Sequence, residues 1–420
     1  MKLESCPKLP CGRCVEPAVT VQRLEAFIGQ KYDYLMHEEQ VSDSLFWSAL
    51  FIDDLEFRSM GKGVSAELSR AGALAEAAEW LACLDTGRLP GYTVAHQDEL
   101  DPGALLPIED LLTHVATATP PVLEQIKDLD AAHFWVDGWS LMQERKLKVP
   151  VDYAGLICGP NGQAAGNTRE EAIEHALLEI FERRAHITVM RHQLELPTID
   201  PATITDPLLR HQMEFIQGKG IEIILKDLSF DGVLPCVGAY FVDPAVPEDY
   251  QFHHFFKVGS AFNRTEALMR TFTEFVQGRR HDEFIDGSEQ ERARLLQHDF
   301  RSLRSVPPPC DNFLSAFMFG FLPCRDGAFL REGPLVPFEA SPGYRDSRED
   351  IQAAMEVCRT LGKDIIVVDL TDPDIDFPVV RVIIPGYSDV LPFHPAGSPG
   401  LFRRLNRSEV LGMYATGYRA

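Results

Sequence analysis

Positive charge is in short supply in this chain. Against 63 Asp and Glu it carries only 40 Lys and Arg, a formal net charge of −23. Binding to a nucleic-acid backbone draws its affinity from Lys and Arg, so direct nucleic-acid binding is not expected. Long apolar runs are missing too. The longest, such as Ile365 to Val368, are strand-sized, far below the roughly 20 residues that cross a bilayer. The opening MKLESCPKLP has a Glu and two Pro where a secretory signal needs an apolar stretch. The nine Cys are an odd number and mostly scattered, which argues against a disulfide scaffold. A reduced, cytoplasmic protein without a membrane span is the expectation. Acidity itself mostly reports solubility and names no partner.

What the chain does have is bulk and pattern. Its 420 residues are 45% hydrophobic, enough for a sizeable core. Residues 1–40 read as an N-terminal extension with a Cys-containing opening, 41–390 as the main domain and 391–420 as a tail. The strand-like run LFWSALFI leads to SMGKGVS, read as a loop of small residues. Residues 85–132 read as a helical insertion, and HFWVDGWSL with KVPVDYAGLI as two strands around a turn. IEIILKDLS and VLPCVGAYFVD give another strand pair, and 281–310, ending in VPPPC, a linker. SREDIQAAMEVCRTLGKDIIVVDL reads as a capped helix, a Gly stop and a buried strand, with FPVVRVIIPG the next strand. The fold class expected is mixed α/β, of the α+β kind.

Three stretches share one design: ALAEAAEW (Ala73 to Trp80), ALLEIFER (Ala176 to Arg183) and ALMRTFTE (Ala267 to Glu274). Each follows small polar residues and has helical periodicity. In the first, Leu74, Ala77, Ala78 and Leu81 make the apolar stripe, with Gly72, Glu76 and Glu79 opposite. In the second, Ile173, Leu177, Ile180 and Arg184 share one side, and Glu171, Glu179 and Glu182 the other. In the third, Leu268, Phe272 and Phe275 are core, while Arg270, Glu274 and Gln277 face away. A solvated polar face is the ordinary explanation for any one such helix. Thr168 with Glu171 fits a capping box, and Arg270 with Glu274 fits an i,i+4 ion pair. Three alike are better explained by a cation held between facing carboxylates, which draws a polyphosphate into an acidic site.

These blocks resemble those of the YcaO family, ATP-dependent enzymes that activate backbone amides of peptides. GKGVSAELSRAGALAEAAEW resembles the family's Gly-Lys-Gly segment and the Ser-x-x-x-Glu-x-x-Glu-Arg that follows it. Lys62, Glu76 and Glu79 match it, while Gly72 stands for the usual Ser and Trp80 for the usual Arg. AGNTREEAIEHALLEIFERRA matches fully, with Asn167, Glu171, Glu179, Glu182 and Arg183 at the family's nucleotide and magnesium positions. Arg270, Glu274, Gln277 and Arg279 match the third helix, and the resemblance runs from about Leu45 to Tyr387.

The resemblance implies a YcaO-type fold that binds ATP and Mg²⁺. It makes Glu79, Glu179 and Glu182 metal ligands and Arg183 and Arg270 catalytic phosphate clamps. Lys62, Glu76, Asn167, Glu171, Glu274, Gln277 and Arg279 bind the nucleotide. An amide oxygen is a poor leaving group until phosphorylated, which explains these residue types. Trp80 removes a donor or stacks on adenine. The chain's last residues, NRSEVLGMYATGYRA, lack the Pro-rich end of azoline-forming members. Thioamide formation, or an accessory role in ribosomal-protein methylthiolation, is therefore expected over azoline formation, with a non-catalytic peptide-binding subunit as the reading of another class. The implied partners are a peptide or protein substrate, a TfuA-like or ubiquitin-activating-like protein, and a second copy in a homodimer. Cys6, Cys11 and Cys14 are expected to be free thiols on a tail, with a metal site or sulfur relay as alternatives, and His253-His254 a strand or loop feature.

Overall fold

A computed structural model describes residues 1–52, 55, 57–83, 86–111, 132–245, 253–277, 327–374 and 377–388. Helix α1 (Pro17–Lys31) leads into an antiparallel sheet of β1 (Leu35–Ser42), β2 (Leu45–Ile52) and β3 (Phe57–Gly63), and α2 (Ala66–Leu81) follows. After β4 (Thr93–Ala95) come β5 (His133–Ser140), β6 (Arg145–Pro150), α3 (Val151–Cys158), β7 (Gln163–Ala165) and the long α4 (Arg169–His192). Next are β8 (Thr198–Asp200), α5 (Pro207–Gly218), β9 (Glu222–Asp227), β10 (Cys236–Val242), β11 (His254–Ser260) and α6 (Arg264–Val276). The last elements are β12 (Leu335–Pro337), α7 (Ser347–Thr360), β13 (Ile366–Asp369) and β14 (Val379–Ile383). Two further sheets run β11-β10-β9-β8-β12 and β4-β5-β13-β14-β7, with β6 paired to β5. The expected mixture of strands and helices is therefore present.

Local chemistry sets the helix starts. Ser65, Thr168, Asn263 and Asp346 each accept a first-turn backbone N–H at the head of α2, α4, α6 and α7. The segment KVPVDYAGLI is not one strand: β6 ends at Pro150, which has no N–H to donate to a ladder, and Val151 begins α3. Lys62 lies near the end of β3 rather than in a loop. Residues 86–104 form short 3-10 turns and β4 instead of long helix. The linker at 281–310 and the tail from 391 lie outside the described residues.

The N-terminal segment departs most from expectation. A boundary at 40 would cut β1, whose hydrogen-bonded register with β2 runs from Leu35 to Ser42. Leu24 and Ile28 of α1 are fully buried with Leu74, Ala77 and Leu81 of α2 in one core cluster. Cys6 is buried, with its N–H on Asp346 Oδ1 at 2.9 Å and its Sγ 3.1 Å from Thr168 Oγ1. Cys14 donates its backbone N–H and its thiol to Glu171, each at 3.2 Å. Of these three cysteines, Cys11 is the exposed one. Cys6 and Cys14 are thus packed parts of the fold, not thiols on a loose tail.

Lys8 fixes this segment by inserting between α4 and α7. Its Nζ lies 2.6 Å from Asp350 Oδ2 and also bonds Glu174. Burial pushes the Asp350 carboxyl up to about 7, and Glu174 and Glu266 add to the rise against the pull of Lys8. The folded value lies above the unfolded one, so the protonated carboxyl binds its proton more tightly in the folded state. That stability is complete below about pH 4 and disappears as the pH climbs to about 7. Asp350→Asn is expected to flatten this part of the pH–stability profile, measured by thermal melts across the window. An unchanged slope would show that the cluster does not titrate there.

Candidate nucleotide site

Close backbone approach seats the helices that carry the acidic residues. A Cβ on Gly61 would lie 2.0 Å from Ser69 O and 2.2 Å from Ala73 N, so α2 presses directly on β3. Gly72 faces the same contact, 3.2 Å from the Gly61 Cα, and this packing accounts for Gly where Ser is usual. A Cβ on Gly259 would likewise come within 2.0 Å of Ala267 O, which sets α6 against β11. Lys62, Glu76 and Glu79 therefore belong to one tightly packed strand–helix pair, and Arg270 and Glu274 to another.

The polar faces of α2, α4 and α6 point at one another. Glu76 accepts the Met60 N–H at 3.0 Å. Glu79 accepts the Ala165 N–H at 2.9 Å. Lys62 from β3 bonds Glu274 of α6 and lies 3.3 Å from Gln277 Oε1. Lys257 of β11 approaches Glu274 to 3.7 Å. Arg183 Nε sits 3.8 Å from Glu179. Arg270 donates to Ser260 O at 3.0 Å rather than pairing with Glu274.

Packing four carboxylates here has an electrostatic consequence. Burial raises Glu79 well above the ordinary range, and the nearby Glu179 and Glu76 add to it. Burial lifts Glu179 to about 7, with Arg183 opposing and Glu182 reinforcing. Glu182 is also raised by burial, with Arg270 opposing and Glu274 reinforcing. Glu274 differs: burial would raise it, but Lys62 and Lys257 outweigh that and hold it at about 2. The site thus offers carboxylates that are costly to ionise until a cation comes between them. Among the described residues, no His, Cys, Asp or Glu side chains close into a metal cage.

Asn167 and Glu171 sit at the head of α4. Glu171 accepts from Asn167 N at 2.7 Å and Asn167 Nδ2 at 2.9 Å, while Thr20 of α1 donates to Asn167 Oδ1 at 2.9 Å. Thr168 accepts the Glu171 N–H at 3.1 Å, as a capping residue does, but the Glu171 carboxylate reaches Asn167 N instead of Thr168 N. These two residues lie about two to four turns from Glu179 and Glu182, bound into the N-terminal segment. Arg279 lies outside the described residues. His254 begins β11, and its ring meets the Tyr240 hydroxyl at 2.5 Å, a satisfied strand residue.

The family model described as "YcaO cyclodehydratase, ATP-ad Mg2+-binding" matches residues 60–388, most of the chain. The chain belongs to the YcaO family. An "Uncharacterized protein in tfuA 3'region" of Rhizobium leguminosarum bv. trifolii is 23% identical over 342 residues, covering 78% of this chain and 76% of that protein. The "Ribosomal protein S12 methylthiotransferase accessory factor YcaO" of Escherichia coli is 26% identical over 254 residues, covering 58% of this chain and 39% of its own length. Among solved structures, YcaO from Methanopyrus kandleri bound with AMPPCP and Mg²⁺ has a TM-score of 0.61 at 17% identity, covering 92% of this chain and 95% of that one. A heterocyclase in complex with substrate and cofactor reaches 0.69 at 22% identity, and this chain spans 54% of its length. These likenesses establish the YcaO fold.

The family's ATP and Mg²⁺ fit what this YcaO chain presents: half-buried carboxylates that repel one another, with cations beside them. Sequence reasoning missed Lys257, the second cation on Glu274, although the alternation of FFKVGS puts it on a strand just before the third block. It also missed the bond from Thr20 to Asn167, because nothing local ties the N-terminal segment to α4. No helix among the described residues is long and apolar enough to cross a membrane.

Proposed function

We propose that this protein binds ATP with Mg²⁺ and phosphorylates the oxygen of a peptide backbone amide, or of its adduct with a nucleophile. The observation that supports the reading is that Glu79 and Glu179, and Glu179 and Glu182, repel one another across two helices, with Arg183 beside Glu179 and the charge of Arg270 acting on Glu182. In this reading Glu79, Glu179 and Glu182 would hold Mg²⁺, whose positive charge would offset that of the phosphates. Arg183 and Arg270 donate to the γ-phosphoryl oxygens as negative charge shifts toward the leaving ADP. Glu274 keeps Lys62 in place and, with Glu76 and Gln277, lines the nucleotide pocket, to which Arg279 is also assigned. Asn167 and Glu171 shape its far end at the head of α4.

Thioamide formation is the reaction we favour. The relative from a tfuA 3′ region aligns over 78% of this chain, the accessory factor over 58%. Sulfide would add to the amide carbon, the resulting oxyanion would take the γ-phosphoryl group, and inorganic phosphate would leave as the carbon–sulfur double bond forms. A TfuA-like protein would be the partner. The test incubates the protein with ATP, Mg²⁺, sulfide, the TfuA-like protein of the same organism and candidate peptides. ADP and phosphate release coupled to replacement of oxygen by sulfur, seen by mass spectrometry, is expected. Water loss from a Cys, Ser or Thr peptide without sulfide would select azoline formation instead. Absence of nucleotide binding would select the non-catalytic subunit.

A further inference from the structure

We propose that Gln163 and Arg381 are positioning residues for Glu79: from β7 and β14 they fix the end of α2, so that one oxygen of the Glu79 carboxyl is presented to magnesium. The inference deepens the nucleotide reading above and rests on it.

Two contacts from one short strand hold Glu79. β7 is the edge strand beside β14, and it meets the last turn of α2. The Ala165 N–H donates to Glu79 Oε1 at 2.9 Å, and Gln163 Nε2 donates to the Glu79 carbonyl at 2.5 Å. The second bond satisfies one of the carbonyls that a helix leaves open at its C-terminal end. In a longer helix the Cys83 N–H would reach that carbonyl, but here it goes to Trp80 O at 3.1 Å. Main chain and carboxyl of Glu79 are therefore set against the same strand. With Oε1 given to Ala165, Oε2 is the oxygen left for a cation between Glu79 and Glu179, whose charge acts on it.

Arg381 decides which way the Gln163 amide faces. The two residues are cross-strand partners on β14 and β7. Arg381 Nη2 donates to Gln163 Oε1 at 2.6 Å, and the Cys83 thiol donates to the same oxygen at 3.2 Å. Both neighbours are donors, so the amide oxygen faces them and its NH₂ faces the Glu79 carbonyl. Arg381 is only 9% exposed, and its partners among the described residues are neutral: Gln163 and the Gly159 carbonyl, at 2.7 Å. Burying a guanidinium without a carboxylate is costly. Its place beside the C-terminal end of α2 offsets part of that cost through the helix dipole. Gly162 seats the strand: at φ 80° a Cβ there would lie 2.3 Å from Val382 O, and the Val382 N–H donates to Gly162 O at 2.6 Å. The chain thus keeps a cation out of water where its contacts orient one amide against a proposed metal ligand.

Calorimetry of a non-hydrolysable ATP analogue over a range of Mg²⁺ concentrations tests this on the full chain. Gln163→Met keeps the length of the side chain and removes both its donor and its acceptor. The Mg²⁺ concentration for half-maximal binding is expected to rise about 10–100-fold, the loss usual when a group that orients a metal ligand is removed. Adenosine binding without metal should stay as in wild type. Gln163→Glu should do no better, because it pairs with Arg381 but sets an oxygen against the Glu79 carbonyl. Arg381→Lys keeps the charge but loses the fork, so it should fall between, and it gives the same reading if Gln163→Met does not fold. An unchanged magnesium requirement in these variants would overturn the proposal. So would an equal loss of adenosine binding, which would make the pair a packing element. The nucleotide reading fails separately: if wild type binds the analogue without regard to Mg²⁺, both fall. If Glu79→Gln raises the magnesium requirement while the Gln163 and Arg381 variants do not, only the positioning role falls.

Discussion

Glu182→Gln is expected to lower ATP turnover by about 10²–10³-fold, the loss seen when one preorganised electrostatic group is removed from a reacting centre. Glu182 lies where the charges of α4 and α6 meet, and Arg270, Glu274, Arg183 and Lys62 all act on it. Gln keeps the volume and can still accept a hydrogen bond, but it brings no negative charge to a metal. Calorimetry with a non-hydrolysable ATP analogue should show that the residual binding no longer responds to EDTA. The variant should also be at least as thermally stable as wild type. Burial raises Glu182 above the ordinary carboxylate range, so its ionised form costs folding stability that a neutral Gln does not. Nucleotide binding that keeps its full magnesium dependence in this variant would remove Glu182 from the metal site.

Lys8→Ala should cost about 3–5 kcal/mol of stability, the usual penalty for leaving a buried carboxylate without its partner. Here two are left: Glu174 and Asp350, with side chains 6% and 3% exposed. A melting temperature lower by roughly 3–6 °C follows for a chain of this size. The triple variant Lys8→Met, Glu174→Gln, Asp350→Asn should recover much of the loss, because it removes the charges together instead of stranding two. A Lys8→Ala protein that melts with wild type would mean that the N-terminal segment docks without this contact.

Much of the site was legible because its signal is local. Glu76 with Glu79, Glu179 with Glu182 and Arg183, and Arg270 with Glu274 each sit a turn or less apart on one helix. Helical periodicity alone then aims each group in one direction. The capped helix at Ser347–Thr360 and the strands after it were readable for the same reason: Asp346 caps the helix and Gly362, at φ 65°, stops it. What could not be read depends on contacts distant in sequence. Nothing in SCPKLPCGRC tells that Cys6 will be buried against Thr168, or that Cys14 will give its thiol to Glu171. The α3 helix was misread because VDYAGLI is apolar and short, and such runs suit strand and helix alike. The reason for Gly72 was equally hidden, since only the pressing of α2 on β3 shows what a side chain there would meet.

The docking of the N-terminal segment also has a history in time. Cys6 donates to Asp346, 340 residues further along the chain. A ribosome adds about 5–20 residues per second, so Cys6 waits on the order of tens of seconds for this partner. Until α7 emerges, Cys6 lacks Asp346 and Lys8 lacks Asp350, although their partners on α4 are already made. The segment that carries Cys6 and Lys8 completes its contacts only when α7 does.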